Sequence, residues 1–106
     1  MSKLVRDKIP DIIRARGGRP ITRIADNTEY LARLIEKLAE EAAEVRDADD
    51  SHRAEELADT LEVVYAIADA IGVSRDELER VRKAKAAERG RFAQRIIWLG
   101  NEEIGQ

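Results

Sequence analysis

Cysteine is absent from the 106 residues, which excludes disulfides, thiolate metal sites and cysteine nucleophiles. Aromatic residues make up only 4% of the chain while charged residues reach 39%. Large rings are therefore not at hand to fill a sheet-rich core, and the balance favours amphipathic helices packed through Leu, Ile, Val and Ala. With one histidine, His52, and no thiol, a zinc site has too few donors. The place of His52 beside Ser51 at a helix start predicts an exposed, cap-adjacent position. No stretch approaches the ~20 apolar residues of a membrane span, and the beginning lacks a signal-peptide apolar region. The expectation is a cytoplasmic protein with no membrane partner. An excess of positive charge is missing too: the formal charge of −3 provides no basic field for a polyanionic duplex, so no nucleic-acid partner is expected.

What is present reads as one all-α domain over residues 1–106, with a thin core. Pro10 suits the first turn of a short helix covering Asp11 to Arg16, stopped by Gly17-Gly18. Residues 20–24 then alternate polar and apolar side chains with β-branched content, as do residues 95–99, predicting a small two-stranded ribbon that joins them. Asp26 or Asn27 caps a long second helix that runs to about Ala48. Ser51 caps a third, which continues to Ile71 and ends at a left-handed Gly72. The capping box Ser74-Arg75-Asp76-Glu77 opens a fourth helix to about Arg89. Short turns make helices two, three and four antiparallel neighbours in a bundle.

Two acidic clusters break this pattern. In the second helix the apolar stripe runs Leu31, Leu34/Ile35 and Leu38, then meets Glu41/Ala42 before Val45. In the third, the stripe of Ala70, Ile67 and Val63 leads back to Thr60/Asp59 and then Glu56. Glu40 with Glu44, Glu41 with Glu44, and Glu56 with Asp59 share helix faces, each able to grip one ion. Carboxylates converging between two helices repel one another and resist desolvation unless a cation lies among them. Oxygen-only donors select a hard cation, and without an EF-hand loop the fit is Mg2+, with Mn2+ as its substitute. An open magnesium shell suits phosphoanhydride hydrolysis. The alternative is a solvated acidic face in which Lys37 pairs with Glu40 or Glu41 at the surface.

The pattern E-E-x-x-E followed by E-x-x-D, here Glu40-Glu41-Ala42-Ala43-Glu44 and Glu56-Leu57-Ala58-Asp59, resembles the signature of the MazG-like all-α nucleoside triphosphate pyrophosphohydrolases. The N-terminal KLVRDKIPDII, the GGRPITRI that follows, the EYLARLIEKLAEEAAEV and ELADTLEVVYAI helices and the closing ERGRFAQRIIWL resemble the small phosphoribosyl-ATP-pyrophosphohydrolase-like branch, so the likeness covers nearly the whole chain. It implies magnesium-dependent cleavage between the α and β phosphates of a nucleoside triphosphate, giving a monophosphate and pyrophosphate as a house-cleaning activity. Carried over by position, Glu41, Glu44, Glu56 and Asp59 are the metal ligands, and Glu40 is a further ligand or orients the attacking water, making Glu40 and Glu41 the catalytic pair. Eleven residues separate Glu44 from Glu56, at the short end of the family's spacing. Phosphate charge calls for cations, with Arg6, Lys8, Lys37 and Lys85 as the candidates. Two other readings stay open: phosphoribosyl-ATP hydrolysis in histidine biosynthesis, and a non-catalytic helical dimerisation or regulatory module.

The third helix carries apolar residues on two sides, Leu57, Leu61, Val64, Ala68 and Ile71 on one and Val63, Ile67 and Ala70 on another. A domain this small cannot cover both, which predicts a homodimer or a dimer of dimers.

Overall fold

The computed structural model describes residues 2–103. Four α-helices follow one another, α1 (Ile9–Ala15), α2 (Asn27–Asp47), α3 (Arg53–Ala70) and α4 (Arg75–Arg89), and no strand occurs among the described residues. The all-α class is thus observed. By its internal contacts the chain falls into two compact units, residues 1–75 and 76–106.

In the first unit, α1 carries Pro10 in its opening turn, where the missing N–H costs no hydrogen bond. It stops where Gly17 turns left-handed, at φ +88°, so that the Gly17 and Gly18 N–H groups donate back to the Arg14 and Ile13 carbonyls, each at 3.0 Å. That bonding satisfies carbonyls the helix end would otherwise orphan. The long helix α2 begins at the expected cap: Asp26 Oδ1 accepts the Glu29 N–H at 2.8 Å, satisfying one free donor of the first turn.

Packing of α2 against α3 forms the core. Leu34 of α2 and Val63 and Ala68 of α3 are its buried residues among those described, flanked by half-buried Leu31, Leu38, Val45 and Ile67. Ala70, expected on the same stripe, is exposed. The end of α3 matches the expectation otherwise: Gly72 stands at φ +78° and the Val73 N–H donates to the Ala68 carbonyl at 2.8 Å. The Arg75 guanidinium lies 4.1 Å from the centre of the Tyr65 ring, a cation–π contact that pins the chain leaving α3.

The turn between α2 and α3 differs from expectation. Ser51 is not the cap of α3; its hydroxyl donates to Asp49 Oδ1 at 2.7 Å, and His52 occupies the cap position with no side-chain cap bond. Asp49 Oδ1 also accepts the His52 N–H at 3.1 Å. A carboxylate three residues before the cap position is a stronger acceptor than the nearer hydroxyl and organises the turn in its place. Arg53 completes the turn by donating to the Val45 carbonyl at 3.1 Å and to that of Ala48, closing the C-terminus of α2 with a cation.

Neither segment of the ribbon expected over 20–24 and 95–99 is a strand among the described residues. Ile21 and Ile24 are almost fully exposed, and Arg23 between them is drawn to Glu29, with two guanidinium–carboxylate bonds of 2.6 and 2.7 Å. In the other segment Arg95 sits at φ +58°, which breaks an extended run at its first residue. β-Branched alternation is a preference for a pleated surface, and without a partner strand it does not make one.

In the second unit, α4 follows directly on Ser74 and ends at Gly90, φ +84°. No α4 residue is buried, and Arg82 pairs with Glu79 one turn back along the helix.

Candidate metal centre

Helix geometry brings the acidic residues together. Glu41 lies seven residues before the 48–52 turn, and Glu56 and Asp59 lie four and seven residues after it. At about 1.5 Å per residue these positions stand at matching heights of roughly 6–10 Å on two helices that run side by side away from one turn. One carboxylate oxygen from each of Glu41, Glu56 and Asp59 falls within 4.8 Å of the others, and all three residues are half-buried. Glu41 occupies the stripe position that Leu34 and Leu38 hold earlier in α2, so the apolar seam gives way to carboxylates as it nears the turn.

Electrostatics record the crowding. The Glu56 carboxyl titrates above its ordinary 4.5, first because burial penalises its charge and then because of the like charges of Asp59, Glu44, Glu41 and Glu55. The hydroxyl of Thr60 donates to the Glu56 carbonyl at 2.8 Å, which satisfies the hydroxyl within α3 and leaves it turned away from the carboxylates. A single cation of the chain reaches in among the bonds described: Arg6 Nη2 donates to Asp59 Oδ1 at 2.8 Å. This contact spans 53 residues of sequence and brings the N-terminal segment to the site.

The expected site residues divide accordingly. Glu41, Glu56 and Asp59 converge, and Arg6 touches them. Glu44 is exposed and outside the convergent trio, although its charge is felt at Glu56. Glu40 is exposed and pairs with half-buried Lys37 at 3.9 Å. Lys8 stands exposed at the start of α1. Lys85, in the second unit, lines an open concavity of about 590 Å³ with Arg82, Arg89, Arg91 and Phe92.

Sequence reasoning missed two arginine roles. The first is that of Arg6, expected as a phosphate contact, whose guanidinium reaches Asp59. The second is that of Arg53, which sets the α2–α3 turn and hence the height at which the carboxylates meet; the signal was its i,i+3 spacing from Asp50, with which it pairs.

In chemical terms, three oxygen donors on adjacent helices with no nitrogen or sulfur ligand fit a hard divalent cation, and three leave coordination positions for water or phosphate oxygens. The donor set passes that test.

Comparison with known proteins adds little to the geometry. No family model matches the chain, and no solved structure matches it. An uncharacterized protein of Mycolicibacterium smegmatis (strain ATCC 700084 / mc(2)155) is 53% identical over 49 residues, which is 46% of this chain and 50% of that protein. The chain thus spans about half the length of the curated relative it matches. No helix among the described residues is long and apolar enough to cross a membrane.

Proposed function

We propose that this protein is a cytoplasmic, magnesium-dependent nucleoside triphosphate pyrophosphohydrolase that acts as a homodimer. The observation that carries the reading is the convergence of Glu41, Glu56 and Asp59 from two helices to within 4.8 Å, at a point where the apolar seam should continue. Mutual repulsion there is a standing cost to the fold, and it has a functional explanation if the trio holds Mg2+. The resemblance of the acidic motifs and of the N-terminal KLVRDKIP to the MazG-like enzymes points to the same chemistry.

In the reaction, a water oxygen bonds to the α phosphorus while the bond from that phosphorus to the α,β-bridging oxygen breaks. Pyrophosphate leaves with the electron pair, and the water proton passes to a carboxylate. Glu41, Glu56 and Asp59 would hold the cation, with Glu44 alongside, and a bound dication supplies neutralisation of phosphate charge. Glu40, next to Glu41 in sequence and paired with Lys37, would orient the water or accept its proton. Arg6 would have a double part: it pairs with Asp59 in the free protein, and its guanidinium would serve phosphate oxygens if a cation were held by the trio. Lys8 and Lys37 are further candidates for phosphate contact.

One observation favours a second reading, a regulatory helical module without turnover: the Arg6–Asp59 pair already offsets part of the acidic charge with no ion. Pyrophosphate release from a panel of ordinary and damaged nucleoside triphosphates, with and without Mg2+, separates the two. Metal-dependent release of pyrophosphate and monophosphate in equal amounts is the expected result. No release on any member, together with no effect of Mg2+ on thermal unfolding, overturns the enzyme reading in favour of the module.

A further inference from the structure

The N-terminal segment is fastened to the α2–α3 pair at two points. Ser2 is tied to α2, where Arg33 donates to its carbonyl at 3.3 Å and to its hydroxyl at 3.0 Å. Leu4 and Val5 follow, both half-buried, and Arg6 then reaches α3 through Asp59. Beyond Arg6 the hold ends. The Ile9 N–H donates to the Arg6 carbonyl at 3.1 Å in the turn that leads into α1, and every residue from Asp11 to Arg19 is exposed. Among the described residues no other helix packs against α1, and its ion pair, Arg14 with Asp11, lies within the helix. Seven residues are well short of the ~12–15 at which an isolated helix becomes marginal in water. The order of α1 therefore depends on how the chain before it is held.

The last tie before α1 is made to a member of the acidic trio. Asp59 Oδ1 accepts Arg6 Nη2 at 2.8 Å, and Asp59 is one of the three residues whose carboxylate oxygens meet within 4.8 Å. A guanidinium and a dication on one carboxylate repel each other at close range. The two hold Asp59 unequally. A dication at the trio is gripped by three carboxylates, whereas the Arg6–Asp59 pair, with side chains 58% and 45% exposed, belongs to the class of ion pairs whose net worth is small.

We infer that the Arg6–Asp59 pair is a latch on α1, closed while the trio is empty and released when a dication is held there. The inference rests on the metal site proposed above and deepens it by naming what its occupancy controls. Ser2, bonded to Arg33, remains the fixed end of the segment. Four residues further on, Arg6 can move no more than about 14 Å from that anchor along the backbone, so the freed guanidinium stays beside the trio. An order of events follows: the cation of the arm becomes available to a phosphate ligand only after the ion is in place.

The chain has no cysteine, so a nitroxide on Ile12→Cys, an exposed position of α1, is the sole label and reports the latch without any turnover. In chelator the label should be restrained. Saturating Mg2+ should raise its mobile fraction about two- to fivefold, the range that exposed ion pairs span, while thermal unfolding of the whole chain moves to higher temperature. Arg6→Gln should be mobile already in chelator and respond no further to Mg2+. It should also bind Mg2+ about two- to fivefold more tightly, because the competing cation is gone. Lys3→Gln removes the same charge from the same segment without breaking either tie, and should keep the response of the parent protein.

If Mg2+ raises the unfolding temperature while the label stays as restrained as in chelator, Arg6 keeps its partner with the ion bound, and the latch is refuted while the metal site stands. The same conclusion follows if Lys3→Gln reproduces Arg6→Gln, because net charge and not the pair would then set the response. No effect of Mg2+ on unfolding or on the label, in the parent and in Arg6→Gln alike, sinks the metal site and the latch with it.

Discussion

The two ends of the α2–α3 pair treat carboxylates in opposite ways. At the start of α2, Glu29 is gripped by Arg23 through bonds of 2.6 and 2.7 Å, with Arg33 at 3.5 Å. Arg33 in turn donates to the Ser2 hydroxyl at 3.0 Å, so the charges bind the N-terminal segment to the helix. The Arg23 guanidinium holds the Glu29 carboxyl down at about 2. Near the turn at the other end, Glu41, Glu56 and Asp59 gather with Arg6 alone to offset them among the described ion pairs, and Glu56 is pushed above its ordinary value. A fold that selects only for stability pairs its carboxylates, as the first end does. The second end leaves charge unneutralised, and sites that do so are candidates for ligand binding and chemistry.

The largest expected consequence of that contrast is catalytic. Glu41→Gln or Glu56→Gln should cut magnesium-dependent pyrophosphate release by at least about 100-fold, since loss of a direct ligand should exceed the 10–100-fold cost typical of removing a partner one shell further out. Glu29→Gln should leave the turnover number unchanged. The same amides should abolish stabilisation by the metal, which at a hundred times its dissociation constant is worth about 2.7 kcal/mol in thermal or urea unfolding. If the Glu29 variant lost activity and the Glu41 variant kept it, the contrast between the two ends would be broken.

A smaller effect sharpens the structural end. Asp26→Ala removes the acceptor for the Glu29 N–H and should cost about 1 kcal/mol in urea unfolding, as helix caps do, with Mg2+ affinity unaltered. A variant that weakened metal binding as much as stability would show that the two ends act as one unit.

Much of this was legible in the residues, and for physical reasons. The helices were, because Asp26, Gly17 and Gly72 terminate periodic segments by local bonding that needs no distant partner. Glu41, Glu56 and Asp59 were too, since each breaks a 3.6-residue apolar stripe, and a charge at a seam position is conspicuous. Contacts without a local signal stayed hidden. Arg6 meets Asp59 across 53 residues, and nothing near either residue announces the other. The turn was misassigned because Asp49, Ser51 and His52 compete for the same few donors, and their order is set by acceptor strength. The strand expected over residues 20–24 is not one for a related reason: alternation gives strand preference, but a ladder needs partner bonding, and Arg23 is engaged with Glu29 instead.

The smallest effect is also the most direct measure of the contrast, because it gives the two ends opposite signs. Glu29 binds its proton less tightly in the folded protein than at its ordinary 4.5. Its contribution to stability is therefore fully present above that value and is lost as pH falls from there through about 2. Glu56 binds its proton more tightly when folded. Its contribution is present below 4.5 and is lost as pH rises through the elevated value, where the charged form is crowded by its neighbours. Urea midpoints in chelator, from roughly pH 3 to pH 7, should accordingly show Glu29→Gln losing its penalty toward the acid end. Glu56→Gln should gain on the parent protein toward the neutral end. Added Mg2+ should reverse the second trend and leave the first untouched, since a dication at the trio turns the repulsion at Glu56 into attraction while Glu29 already has its cation. Slopes of the same sign for both variants would mean that the acidic trio is an ordinary solvated face.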